Sequence, residues 1–432
     1  MTDLFLPLKD ETRRLLKRLP GIIDRTFPLP VRFRANLPRD VSELSGLLTS
    51  SRENRGASYL GKPALLSAYL RYFLPWNIYR LCRLLDGLPL DLKSSDVIND
   101  IGTGPLTLAA SLWICRPALR NIPLEFRCVD RTAAVMEAGK KLFRALTAND
   151  GKSPNENPQS CPWIIKTIRG ELKRGGTLSV ELKGKPAALS AAVNIYNELF
   201  WNFSPHDLES LEHFANNHAR LLSSLTESTG SVLIVEPGIP RSGEFISLIR
   251  SGFIRESRVP LSPCTHCEIC PLPGGRISDG GKEKWCHFAF DTENAPEELH
   301  KLSAAAGLPK ERAVLSFILA GPVSKENQSS QAAKIGPPPF RSAKSGPLKI
   351  RIISDSFPIQ DSIKKTSQKE KGTGKILHAP LSWGRYGCSK KGLVLVKGSR
   401  EKIDASPSGS LEELALMDGE TDGKSGALVA KK

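Results

Sequence analysis

Apolar residues first recur at helical spacing along this chain, and further on they gather into short β-branched runs. Residues 1–94 read as mainly helical: Arg13-Arg14-Leu15-Leu16-Lys17-Arg18-Leu19 is a basic amphipathic turn, and Ala64 to Leu85 repeats apolar positions with a helical period. Within it, the stretch from Tyr69 to Arg80 interleaves aromatics with arginines, a pattern suited to stacking on bases or a cofactor edge and equally to an amphipathic helix whose rings face a core. From Asp96 onward six strand-like runs alternate with helical stretches, at Asp96–Ile101, Glu125–Val129, Trp163–Ile168, Ala187–Ile195, Ser231–Glu236 and Ala313–Ala320. Such alternation predicts βαβ units and an α/β, doubly wound, Rossmann-like sheet.

The pattern breaks between the fifth and sixth runs. Residues 256–295 are rich in Cys, Pro and Gly, show no clear period, and read as an insertion held by something other than an apolar core. The predicted organisation is therefore a helical region (1–94), a Rossmann-like core (95–255), a Cys-rich insertion (256–295) and the end of the core (296–323). A basic linker with a small β extension (324–405) and a Gly/Ser/Asp/Glu-rich tail read as disordered (406–432) follow. In the extension, Leu348–Ile353 and Gly392–Lys397 are strand-like, and no internal repeat is seen.

Charge narrows the class of partner. The 432 residues carry a formal net charge of +16, and between Lys325 and Lys375 there are 11 Lys or Arg against 4 Asp or Glu. Such a surplus favours a polyanion, because each phosphate neutralised releases condensed counterions. No apolar run reaches the ~20 residues a bilayer requires, and the acids near the N-terminus resemble neither a secretory nor a transit signal. A cytoplasmic protein of a bacterium, without membrane attachment and monomeric, is the simplest expectation.

The first strand runs into Asp100-Ile101-Gly102-Thr103-Gly104-Pro105, a glycine turn that lets backbone approach a ligand at a helix N-terminus. The second strand ends at Asp130, where an acid is placed to bind both hydroxyls of a ribose. Pro105-Leu106 stand where a dinucleotide fingerprint would place its third glycine, which favours S-adenosylmethionine over NAD. Asp100, Gly102, Gly104, Asp130 and Asn197 are the candidate cofactor residues. After the fourth strand comes Asn194-Ile195-Tyr196-Asn197-Glu198-Leu199, which makes Tyr196 and Asn197 the candidates to meet an acceptor. It is not the Asn-Pro-Pro-Tyr type used on flipped bases, and no convincing general base accompanies it. Glu236, in Glu236-Pro237-Gly238, can close the pocket or cap the helix that follows.

Among the nine cysteines, Cys264, Cys267 and Cys270 fall within seven residues, with Pro271 after the third, and Trp285-Cys286-His287 follows. Thiolates at that spacing suit an iron–sulfur cluster. Zinc on four thiolates, or on three with His266 or His287, is the alternative. A loop with so little core offers no reason to bury free thiols.

These pieces, in this order, resemble the methyltransferase-like assembly factors of the ribosomal small subunit found in mitochondria and many bacteria. The matching motifs run from the Tyr/Arg/Pro-rich helix through Asp100–Pro105, Val129-Asp130-Arg131, Asn197-Glu198-Leu199 and Glu236–Pro240 to the cysteine signature. The resemblance implies a [4Fe–4S] cluster on four cysteines. Cys264, Cys270 and Cys286 fall on the first three, and Cys388, ahead of Gly392-Leu393, is similar to the late fourth. Cys267 departs from the family pattern as an alternative ligand. The resemblance further implies docking on small-subunit rRNA, with S-adenosylmethionine bound and turnover not required. An active rRNA methyltransferase and a zinc-stapled nucleic-acid-binding protein without catalysis are the competing readings.

Overall fold

The computed structural model describes residues 3–49, 59–148, 161–201, 203–204, 207–272, 284–323, 346–359 and 382–432. Five helices come first: α1 (Asp10–Thr26), α2 (Val31–Arg34), α3 (Leu37–Leu48), α4 (Pro63–Ala68) and, after a π-helical turn at Tyr69–Phe73, α5 (Leu74–Leu85). The central domain follows as β1 (Asp96–Ile101), α6 (Thr107–Cys115), β2 (Leu124–Asp130), α7 (Ala133–Ala148) and β3 (Trp163–Arg169). A small hairpin, β4 (Leu172–Lys173) and β5 (Thr177–Leu178), leads to β6 (Ala187–Val193), α8 (Tyr196–Leu199), α9 (Leu208–Ser224), β7 (Thr226–Pro237) and α10 (Pro240–Arg255). The domain closes with β8 (Arg258–Ser262), β9 (Phe288–Asp291), α11 (Glu297–Ala305) and β10 (Arg312–Pro322).

Its sheet has the order β3-β2-β1-β6-β7-β10-β8, with β9 also on β10. The first five strands of that order are mutually parallel, and β10 runs antiparallel to β7. One reversed strand, placed next to last, is the strand order of class I methyltransferases, so the fold expected from the strand pattern is the fold found. Strand residues alternate between two cores. Ile98, Phe126, Leu189, Leu233 and Phe317 face the side covered by α1, α5, α6 and α7. Ile101, Val129, Ala192, Ile234 and Ile318 face α9 and α10. Burial on both faces is why these strands read as near-continuous apolar runs.

Two expectations need correcting. Residues 256–295 are not wholly an insertion, since β8 and β9 lie inside them and belong to the main sheet. β8 carries Pro260 and so reads poorly as a strand, but as the edge strand it can spare a donor. Nor is 406–432 a structureless tail. Leu411–Leu414 (β15), Leu416–Thr421 (β16) and Leu428–Lys431 (β17) pair into a second sheet with Leu348–Ile352 (β11), Phe357–Ile359 (β12), Ser382–Ser389 (β13) and Gly392–Gly398 (β14). Its composition is polar, but Val429 and Ala430 are fully buried against that sheet, and Leu414 and Leu416 pack at its margin. Partners distant in sequence supply the burial. Most of the linker, 324–345 and 360–381, lies outside the described residues.

The second sheet is fastened to the first domain. Leu4 N–H donates to Gly409 O at 3.1 Å, and Phe5 stacks on Phe290 with centroids 4.8 Å apart. The buried Arg351 guanidinium donates to Pro263 O (3.1 Å) and Gly409 O (2.6 Å), bridging β8's exit to the C-terminal module. No described helix is long and apolar enough to cross a membrane.

Candidate cofactor pocket and thiol cluster

The chain enters the sheet at its middle, moves outward through β2 and β3, and returns to β6 beside β1. The crevice at that switch point is where ligands bind in open α/β sheets. Here it is lined by Gly102–Gly104 after β1, Asp130–Thr132 after β2, Gly170–Leu172 after β3, and Val193–Ile195 with Glu198 after β6. Tyr69 and Asn77 from the N-terminal helices close one side.

The glycine turn is fixed by the end of β2. Gly102 and Thr103 donate to Val129 O at 2.8 and 3.1 Å, while Asp130 accepts from Gly104 N (3.0 Å) and Thr132 N (2.8 Å). Gly102 has φ +73°, and a Cβ there would stand 2.3 Å from Ile195 Cδ1. Gly139 on α7 plays a part that no sequence motif marks. A Cβ at Gly139 would lie 2.5 Å from the Pro105 carbonyl carbon, so its absence lets α7 press against the turn. Asp100 does not line the crevice. It is buried and accepts the Thr103 hydroxyl at 2.5 Å, so it braces the turn from behind.

The candidates for acceptor chemistry are placed elsewhere. Tyr196 is fully buried between α9 and α10, edge-on to His218 (centroids 5.0 Å apart) and tilted against Phe245 at 4.7 Å. Its hydroxyl has no hydrogen-bond partner among the described residues. Asn197 Nδ2 donates to Glu236 Oε2 at 2.9 Å, and neither side chain borders the crevice. The reason is local. Asn194 at φ +56° turns the chain out of β6, and α8 then points Tyr196 inward while Glu198 faces the cavity. Glu198 lies 3.7 Å from Arg131 across the pocket mouth. Of the aromatic and arginine-rich stretch, Tyr72, Trp76 and Tyr79 are core, and Tyr69 is its aromatic at the cavity. Burial, then Glu198 and Asp130, push the Tyr69 phenol well above its ordinary value, so it stays a neutral donor.

Glu236 neither closes the pocket nor caps α10. It accepts Tyr196 N–H (2.8 Å) and Asn197 N–H (3.1 Å), anchoring α8 to β7. Burial raises its pKa from 4.5 to about 7, against the opposing hydrogen bonds from Asn197 and Tyr196, and burial likewise lifts Asp100 to about 7. The folded chain thus holds protons that the unfolded chain has released, and stability falls as pH rises from about 4.5 to about 7. Urea unfolding below and above that window measures the slope, which should be shallower in Glu236→Gln; an unchanged slope would show that Glu236 does not titrate there.

The cysteines gather at the far end of α10. Cys264 follows β8, Cys270 lies in the next loop, Cys286 precedes β9, and Cys388 is in β13. Burial raises the thiols of Cys264, Cys286 and Cys388; Cys286 also feels Cys264, Cys270 and Cys388, and Cys388 feels Cys264 and Cys270. Cys267 is within reach of Cys264 and Arg250. The buried Arg250 of α10 donates Nε–H to Cys264 Sγ at 3.3 Å and Nη2–H to the carbonyls of His266 (2.7 Å) and Glu268 (2.8 Å), so the thiol-bearing loop is folded around one guanidinium. His266 Nε2 is 3.6 Å from Cys388 Sγ, whereas the His287 ring stacks on Trp285. Among the described residues no group of three or more His, Cys, Asp or Glu is placed to hold a metal ion.

Residues 170–376 match the model of a family described as mitochondrial small ribosomal subunit Rsm22. No curated protein matches. Among solved structures, CalO1, a methyltransferase in calicheamicin biosynthesis, is 15% identical over 68% of this chain and 73% of its own, with a TM-score of 0.28. A putative class I S-adenosylmethionine-dependent methyltransferase from Listeria monocytogenes is 10% identical over 76% of this chain and 89% of its own, TM-score 0.29. A methyltransferase from Pyrococcus furiosus is 12% identical over 39% and 68%, TM-score 0.26. At such identities and scores these neighbours add nothing to what the strand order establishes. The chain is a methyltransferase-like protein related, over residues 170–376, to the Rsm22 family of the mitochondrial small ribosomal subunit.

Proposed function

We propose that the protein is an assembly or maturation factor that binds small-subunit rRNA, holds S-adenosylmethionine in the crevice above β1 and β2, and carries a [4Fe–4S] cluster on Cys264, Cys270, Cys286 and Cys388. One observation carries the cluster reading: four thiols from separate stretches of chain become neighbours, one of them from the C-terminal sheet. An all-sulfur donor set suits soft metals, and iron–sulfur clusters are commonly held by four thiolates. When bound, the cluster would act as a covalent staple between β8's exit, β9 and β13.

For the nucleoside, the support is the Gly102–Gly104 turn together with Asp130. Tyr69, Asn77 and Glu198 are placed at the reacting end of the crevice, and with Tyr196 and Asn197 turned away none of these forms an evident general-base pair. The factor then acts by occupying an rRNA conformation in the compartment where small subunits are assembled, which the sequence places in a bacterial cytoplasm.

Sedimentation of cell extract through sucrose at low magnesium tests the reading. The protein is expected in small-subunit particles and absent from large-subunit ones; a protein found only at the top of the gradient refutes it. Loss of one rRNA methyl mark on deletion would instead establish turnover, and a colourless anaerobic preparation with stoichiometric zinc would replace the cluster by zinc.

A further inference from the structure

Between α1 and α3 the chain turns its apolar side outward. The seven residues Pro30–Asn36 are all exposed, and α2, which they contain, buries no side chain at all. Burial therefore does not hold this turn; hydrogen bonds do, from Phe33 N to Pro30 O (2.9 Å) and from Asn36 N to Phe33 O (3.2 Å). Pro28 and Pro30 stiffen its entry. On it stand Val31, 79% exposed, and Phe33, 45% exposed, with the Arg32 guanidinium 4.8 Å from the Phe33 ring centroid.

The surroundings are cationic. From Arg25 to Arg39 there are four arginines and no acid. Of the flanking acids, Asp24 is paired with Arg71 at 3.0 Å, and Asp40 is 3.9 Å from Arg39. Arg71 also donates to Phe27 O, which ties this turn to the π-helical segment whose Tyr69 walls the cofactor crevice.

We infer that Phe33 and Arg32 form a stacking platform for an unpaired nucleobase of an RNA strand, with Arg34 and Arg39 taking the adjacent phosphates. This rests on the RNA-binding reading above. An aromatic face flanked by guanidinium groups matches the two parts of a single strand, π-stacking for the base and positive charge for the backbone. A duplex keeps its bases stacked inside and offers the ring no face. A membrane anchor needs a longer apolar face than the two side chains here. The prolines preset the turn, so little entropy is lost when a strand binds.

The test is fluorescence anisotropy of a labelled single-stranded oligouridylate with the full-length protein. Phe33→Ala should weaken binding roughly 5- to 100-fold, the range given by one lost base–aromatic stack. Phe33→Trp should restore it. Arg32→Gln combined with Arg34→Gln should flatten the dependence on salt by about one unit of slope per lost phosphate contact, while Phe33→Ala should leave that slope unchanged. Because Phe33 is exposed and packs no core, circular dichroism should match wild type in each variant. Binding by wild type that is indifferent to all three changes overturns this patch and leaves the rRNA reading standing; no binding by wild type overturns both. Loss of flotation with phosphatidylserine vesicles in Phe33→Ala, with RNA binding intact, would assign the turn to a membrane surface instead.

Discussion

In the Cys388→Ser protein, iron and sulfide are expected to fall to a small fraction of the wild-type content, and stability with them, whereas Cys267→Ser keeps both. Cys388 lies 102 residues beyond Cys286 in sequence, yet it is buried next to Cys264, Cys270 and Cys286. Its position is set by the sheet: β13 pairs antiparallel with β11, Cys388 opposite Arg351, and Arg351 in turn bonds the Pro263 carbonyl one residue before Cys264. A serine there keeps the strand and removes the thiolate. Because the loop around Cys270 has little core of its own, ligation and folding are linked, and losing one ligand costs both. Cys267, which neighbours Cys264 and Arg250, sits to one side of that set. Anaerobic purification of each full-length variant, with iron and sulfide assays and urea unfolding, reads the result. A Cys388→Ser protein with full iron, or a Cys267→Ser protein without it, would overturn the choice of four among five.

The parts of this molecule that could be read in the sequence are those whose signal is local. Six strands of the main sheet appear as β-branched runs because burial on both faces leaves them no polar alternation. The Gly102–Asp130 pairing follows from the order of elements alone. What escaped depends on partners far away in sequence. β8 carries a proline that only its edge position excuses, and the C-terminal strands are too polar to announce themselves without the sheet that buries Val429 and Ala430. Tyr196 and Asn197 follow a strand end, where polar groups usually face a ligand, but the positive-φ turn at Asn194 rotates them away and presents Glu198. Arg250 was invisible as a thiol partner, since nothing in α10 distinguishes it from a surface arginine until the loop folds over it.

Asp130→Ala is expected to weaken S-adenosylmethionine binding by about two orders of magnitude or more. The carboxylate does two jobs that fail together. It holds the turn, accepting Gly104 N–H through one oxygen and Thr132 N–H through the other, and it leaves its outer edge facing the crevice, where a ribose would present two hydroxyls. A hydrogen bond to a charged group contributes about 1.5–3 kcal/mol. Two lost ribose bonds therefore account for roughly a hundredfold or more in affinity, before any loosening of the turn is counted. Arg131→Ala makes the contrast, for its ion pair with Glu198 at 3.7 Å is partly solvated and its loss should cost a few-fold at most. Titration calorimetry gives both affinities. Thermal unfolding with and without the ligand separates affinity from damage to the fold. Ligand raises the melting temperature of wild type in proportion to the logarithm of its occupancy, and that increment should vanish in Asp130→Ala even if the unliganded melting temperature barely moves. An Asp130→Ala protein that binds as tightly as wild type would mean that the acid at the end of β2 only braces the turn, and that the ribose, if one binds, is held elsewhere.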